Sequence, residues 1–312
     1  MIQISNSAAP TSAGAAASGT SGTVLPALAL SLNALVWGVS WWPFRTLQSN
    51  GLHPMWATAI IYVFAIACLA VLRPAAWRGL IQHPALWWLV LAAGLSNVGF
   101  NWAVTVGDVV RVVLLFYLMP AWAVLLAWLV LGEKPQPMAL LRLVIALSGV
   151  LLVLKQPGSP WPLPQSLPDY LALMGGMCFA LTSTMLRKLR TAPAELRVLA
   201  MFGGGASMAT AVALWGAAAG WVPALPAPAS SWVLLVLALA VAFLLGNLAL
   251  QYGAAHLRSA TTALVMLSEI VFASASSVLM GVAQLDARTL WGGALILAAA
   301  TWAALADSKG HD

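Results

Sequence analysis

Lys155-Gln-Pro-Gly-Ser-Pro-Trp-Pro-Leu-Pro-Gln-Ser-Leu-Pro168 holds five prolines and divides a chain of 312 residues close to its middle. A proline-rich stretch of this kind is a semi-rigid spacer, so it reads as a linker between two halves. Working outward from it, apolar runs follow one another in regular succession. A bilayer core needs roughly 20 such residues per helix, and ten runs qualify: 24–44, 54–72, 84–105, 109–131 and 135–154 before the linker, then 168–188, 196–217, 231–252, 259–281 and 286–306. Short connectors such as Arg73-Pro74, Gly132-Glu133-Lys134-Pro135 and Gln284-Leu285-Asp286 suit turns between packed helices. The expectation is an all-α polytopic membrane protein of ten transmembrane helices, arranged as two five-helix repeats.

Composition agrees. Apolar residues make up 62% of the chain and charged ones 7%, with a mean hydropathy of +0.93. A soluble domain is usually about one-quarter charged, so lipid rather than water must cover most of this surface. The net charge of +6 comes from residues scattered between apolar runs and forms no stripe that would suit a nucleic-acid partner. Cys68 and Cys178 lie inside apolar runs without other ligand residues at metal spacing, and read as small packing residues.

Residues 1–23 are rich in Ser, Ala, Gly and Thr, carry no charge and read as a flexible tail. They lack the basic region of a signal peptide, so the first apolar run is expected to stay as a membrane helix. Residues 307–312 form a short C-terminal tail. Counting Lys and Arg by loop gives the orientation, because short cytoplasmic loops carry the excess. One side holds Arg73, Arg78, Lys134, Arg142, Arg187, Lys188, Arg190, Arg197, Arg258 and Lys309; the other holds Arg45, Arg111, Lys155 and Arg288. Ten against four places both termini in the cytoplasm, with the chain in a bacterial inner membrane.

A faint internal repeat supports the division into halves 24–154 and 168–306, joined by a linker at 155–167. Asn97-(x)3-Asn101-Trp102 recurs 150 residues later as Asn247-(x)3-Gln251-Tyr252, and the same offset pairs Trp122 with Phe272. Because five is odd, two such repeats must cross the membrane in opposite directions. Inverted repeats permit a central site to face each side in turn, which points to transport.

Leu35-Val-Trp-Gly38 with Arg45, then Leu118-Met-Pro120, Leu131-Gly-Glu133 and Gly149-Val150, resemble the drug/metabolite transporter superfamily, of the ten-helix EamA type. The first run and Tyr117-Leu-Met-Pro120 make the chain most similar to that family's exporters of aromatic amino acids. The resemblance implies a secondary transporter, no cofactor, and a small-molecule substrate bound between the halves. The second half departs from the pattern: Ser268-Glu269-Ile270 stands where a proline is expected, and no Gly-Glu occurs at Gly281-Val282-Ala283.

Candidate substrate contacts are polar and aromatic residues near mid-membrane. Asn33, Trp37 and Trp41 recur every four residues, setting an amide beside two indoles on one helix face. Asn97, Asn101, Asn247 and Gln251 form a polar ladder on corresponding helices, with Tyr252 beside it. Such residues must face protein or a water-filled space, and inter-helix hydrogen bonding is the alternative use. Pro120 removes a backbone hydrogen bond mid-helix and is the expected hinge, turning Tyr117 and Met119 toward the centre. Phe179, Thr182 and Ser183 complete the set, although the Thr182-Ser183-Thr184 hydroxyls can also bond to carbonyls of their own helix. Glu269 is the one acidic residue near the middle of a span, where a carboxylate costs about 2.5–3.5 kcal/mol on insertion scales. It is a candidate for coupling to proton movement; a carboxyl held by a neighbouring helix is the alternative. His256, Arg258, Asp108 and Arg111 sit at helix ends and read as interfacial.

There is no Walker-type phosphate loop, no His-Glu-x-x-His and no Gly-x-Ser-x-Gly elbow, so neither direct ATP coupling nor a familiar embedded hydrolase is indicated. No metal site is indicated either. The expected function is export of neutral or aromatic amino acids and similar small metabolites by alternating access. Exporters of other drug-like solutes, or a membrane-embedded enzyme, are the competing readings. The partners implied are the lipid bilayer and the solute; nothing calls for a second subunit, so a monomer is expected.

Overall fold

The structure is a computed structural model that describes residues 21–72, 79–80, 82–132, 134, 137–155, 163–189, 191–257, 262, 265–283 and 286–309. Most of the N-terminal tail, linker residues 156–162, Arg73, Arg78, Glu133, Arg190, Arg258, Gln284, Leu285 and the last three residues lie outside that set.

The described residues form helices joined by turns. In chain order these are α1 (Ser21–Val39), α2 (Trp41–Ser49), α3 (Pro54–Leu72), α4 (Leu86–Val106), α5 (Val109–Phe116), α6 (Met119–Leu126) with a π-helical turn at Ala127–Leu131, α7 (Pro137–Leu154), α8 (Leu167–Lys188), α9 (Ala194–Ala218), α10 (Ser230–His256), α11 (Ser268–Leu279) and α12 (Ala287–Lys309). Eight stretches among the described residues are long and apolar enough to cross a membrane. Within the ninth expected run the longest helix among the described residues is α11, of twelve residues; 259–261 and 263–264 lie outside the described set. The C-terminal helix extends to Lys309, past the expected start of the tail.

Local chemistry explains where helices start and stop. Asp108 accepts the backbone N–H of Arg111 at 2.8 Å and so caps α5. Asp169 lies in the first turn of α8 and Arg187 and Lys188 in its last, each opposing the nearer end of the helix dipole. Gly132 ends the π-helical turn with a φ of 73°, a left-handed conformation open to glycine.

Apolar side chains cover much of the outside: Val71, Leu129, Leu279 and Trp291 are all exposed, as lipid contact requires. In the interior, small residues bring helices close. A Cβ on Gly94 would strike the carbonyl of Gly204, and one on Gly99 would lie 2.7 Å from the carbonyl of Leu171 and 3.0 Å from Gly175 Cα. Those two contacts seat α4 against α9 and α8. Gly175, Gly176, Gly204 and Gly205 therefore serve packing, whereas a Cβ on Gly203 would meet only Ile66 at 3.8 Å. Across the chain, α1 packs on α10 and α11, α8 on α4, α5 and α6, α3 on α9, and α7 on α12. Cys68 and Cys178 are both free thiols.

Candidate functional site

Two interrupted helices meet in the middle of the bundle. The fourth apolar run breaks at Tyr117-Leu118, between α5 and α6. Pro120, in the first turn of α6, has no N–H to offer the Phe116 carbonyl, so the α-helical ladder cannot continue through it. The second break is at Leu267, immediately before α11, and no proline is there. Tyr117 and Leu267 are 150 residues apart, the offset of the sequence repeat.

The breaks are bonded to each other. The Tyr117 hydroxyl lies 3.1 Å from the Met266 carbonyl and 3.0 Å from Glu269 Oε2. Glu269 stands in the first turn of α11, where the unpaired N–H groups of a helix start favour a carboxylate.

Around this junction is a cavity of about 500 Å³, within the range of small-molecule sites. Its wall includes Asn33, Trp37, Asn97, Tyr117, Met119, Pro120, Phe179, Thr182, Ser183, Asn247 and Glu269. Rings run along it in contact: Phe243 stacks on Trp37 at 4.5 Å, Trp37 meets Phe100 edge-on at 5.9 Å, Phe100 meets Phe116 at 4.8 Å, and Phe116 reaches Phe179 at 5.6 Å. Among the described residues no Lys, Arg or His lines it.

Four of the expected residues stand elsewhere. Trp41 is buried behind the cavity, donates from Nε1 to Ser276 at 3.0 Å and carries the Arg45 guanidinium over its ring at 5.3 Å. It leaves the Asn33/Trp37 face because the helix breaks at Ser40, whose hydroxyl and N–H both turn back to the Trp37 carbonyl. Asn101 is buried and donates to Thr58 Oγ1 at 3.3 Å, tying α4 to α3. Gln251 is exposed and donates to Asn247 Oδ1 at 2.6 Å, and the exposed Tyr252 packs on His256.

The helical period explains the ladder residues. At about 100° per residue, a partner at i+4 sits about 40° round the helix. The cavity face extends the other way, through Ala93, Ser96, Asn97 and Phe100 on α4 and through Phe243, Asn247, Leu250 and Ala254 on α10. Phe100 and Phe243 were thus legible at i+3 and i−4 from their asparagines. Tyr62, Phe116 and Phe202 also line the wall and carried no comparable signal.

Within the wall, Asn97 donates to the Ala93 carbonyl at 2.8 Å and accepts from the Tyr62 hydroxyl. Thr182, Ser183 and Thr184 each bond to the carbonyl four residues back, at 2.9, 3.1 and 2.9 Å. Asn33 is 1% exposed, and its Oδ1 has no hydrogen-bond partner among the described residues.

The cavity is displaced toward one end of the bundle, since its wall uses the C-terminal halves of α8 and α10 and the N-terminal part of α9. The opposite end is tied together by charged groups. Arg111 grips Asp169 bidentately, at 2.7 and 3.0 Å, and donates to the Val153 carbonyl, joining the starts of α5 and α8 to the end of α7. Arg45 donates to the Val104 carbonyl at 3.3 Å and to that of Gly107. At the same end, hydrogen bonds from Thr289 hold the exposed Asp286 carboxyl below its ordinary range. Arg111 is thus at a helix end, as expected, but it is an inter-helix clamp as well.

Residues 24–155 match the family model described as the EamA-like transporter family. The match covers less than half of the chain and ends at the first residue of the proline-rich stretch. Nothing in the match distinguishes exporters of aromatic amino acids from other members. The chain superposes on a solved crystal structure of a protein with a TM-score of 0.57 and 19% identity, covering 94% of this chain and 99% of the other, a likeness in fold alone. No curated protein matches the sequence.

Proposed function

We propose that the chain is a secondary transporter of the bacterial inner membrane that exports neutral or aromatic amino acids and similar small metabolites by alternating access. The observation that carries this reading is the pair of interrupted helices, 150 residues apart, bonded to each other in the wall of one cavity. Discontinuous helices at corresponding places in two halves are where transporters bind their solutes.

The packing pattern supports an inverted repeat. Exchanging the halves converts the α1 contacts with α10 and α11 into the α8 contacts with α4 and with α5 and α6, while α3–α9 and α7–α12 map onto themselves. Two halves related in this way can trade conformations, with Pro120 as the hinge of the first. The ring-lined wall favours an apolar or aromatic body. The lack of lining cations disfavours phosphorylated solutes, which call for Lys or Arg. With both termini cytoplasmic, the cavity lies toward the cytoplasm and the Arg111–Asp169 clamp closes the outside, an arrangement ready to load a solute for export.

Purified protein in liposomes tests this. A labelled neutral amino acid such as phenylalanine, methionine or threonine should cross the bilayer chemically unchanged, and other neutral amino acids should compete. Conversion of the solute would identify an enzyme; failure of every neutral amino acid to compete would remove the substrate assignment.

A further inference from the structure

Resting on that reading, we infer that Glu269, Asn33 and Tyr117 form an ammonium subsite, so that the cavity selects solutes bearing a protonated amine and rejects anions and uncharged analogues of the same shape.

The argument is a count of donors and acceptors. Most polar groups in the wall are already satisfied: Asn97 by Tyr62 and Ala93, Asn247 Oδ1 by Gln251, and Thr182 and Ser183 by their own helix. Asn33 Oδ1 is buried without a partner among the described residues, and buried polar atoms in that state call for a ligand or water. The Thr262 hydroxyl is without a partner too, and Glu269 is the only acidic or basic residue among the described residues of the wall. Glu269, 7% exposed and part of the cavity wall, takes one hydrogen bond, from Tyr117 on Oε2, with further lone pairs to spare.

Two of the three groups bond to Met266, and the third is bonded to Tyr117. Asn33 Nδ2 lies 3.5 Å from Met266 Sδ, Tyr117 Oη lies 3.1 Å from the Met266 carbonyl, and Tyr117 joins Glu269. An ammonium is a three-donor cation with no acceptor, complementary to a carboxylate beside a lone amide oxygen. The phenolic hydroxyl holds the carboxyl in place at the start of α11. Trp37, four residues from Asn33 and stacked on Phe243, adds ring surface to the same wall for the apolar body of the solute. No lining cation competes for the carboxylate among the described residues.

The test is equilibrium dialysis of the full-length protein in nanodiscs against four probes of one shape: 2-phenylethylamine, phenylalanine, 2-phenylethanol and 3-phenylpropionate. The amine and the amino acid should bind about tenfold or more tightly than the alcohol and the acid. Glu269→Gln should bring amine and alcohol to within about threefold, and Glu269→Asp should recover part of the preference. Equal binding of alcohol, acid and amine by the unaltered protein removes the ammonium subsite but leaves the transport reading intact. Binding of none of the four overturns the aromatic-solute reading and the subsite with it. Should Glu269→Gln fail to fold, the order of the four probes on the unaltered protein decides.

Discussion

The two ends of the bundle use polar groups in opposite ways. At the clamped end each charge described is answered: Arg111 by Asp169 and Val153, Arg45 by the carbonyls of Val104 and Gly107. In the cavity wall the polar groups are only partly answered: Asn33 Oδ1 and Thr262 Oγ1 are buried without a hydrogen-bond partner among the described residues, and the Glu269 carboxylate takes one hydrogen bond, from Tyr117. A closed contact is stable because it is complete, whereas a binding wall has to keep something in reserve. Neither end could take the other's chemistry without either losing its clamp or filling its site.

The sharpest way to break that contrast is at the clamp. Asp169→Ala leaves the Arg111 guanidinium without its carboxylate and should cost about 3 kcal/mol, read as thermal unfolding in detergent. The double replacement Arg111→Met with Asp169→Leu should recover most of it, because apolar pairs of similar volume often match a buried ion pair. A double variant as weak as the single one would show that the charged pair and its hydrogen bonds, not the volume they fill, hold this end together.

In the cavity the expected effects divide between stability and flux. Trp37→Leu removes the stack on Phe243 and should cost about 1 kcal/mol, while raising the KM for an aromatic solute about fivefold or more; an unchanged KM would place the ring outside the path. Pro120→Ala restores an N–H opposite the Phe116 carbonyl. Stability should hold or rise by up to about 1 kcal/mol, and flux should fall several-fold if the break is used in transport. The smallest effect belongs to Ser183→Ala, whose hydroxyl already bonds to Phe179: stability within about 0.5 kcal/mol and flux within about twofold. A larger loss of flux would mean that the hydroxyl turns to the solute.

Seen residue by residue, the site was legible wherever one helix carried the signal. Asn33 and Trp37 share a face of α1, and Asn97 and Asn247 recur at one offset, so periodicity placed all four on the cavity. It misled for Trp41, because a helix break at Ser40 interrupts the period, and for Asn101 and Gln251, because i+4 drifts about 40° away from the face that the bundle presents. Phe116, Tyr62 and Phe202 were missed because nothing in their own helices distinguishes them from ordinary core. The Arg111–Asp169 clamp joins residues 58 apart on different helices, and no local spacing predicts such a pair.

By itself the sequence determined the all-helical membrane class, the approximate spans, the proline at the first break and the uneven distribution of Lys and Arg. These are properties of short windows: the length of an apolar run, the missing N–H of a proline, the charge of a loop. Only the tertiary structure decided that a second break without proline is bonded to the first, that Glu269 answers Tyr117, and which end is clamped. Those outcomes depend on which faces meet when the helices pack, and that is settled by close approach at residues such as Gly94 and Gly204, far apart in the chain and adjacent in the fold.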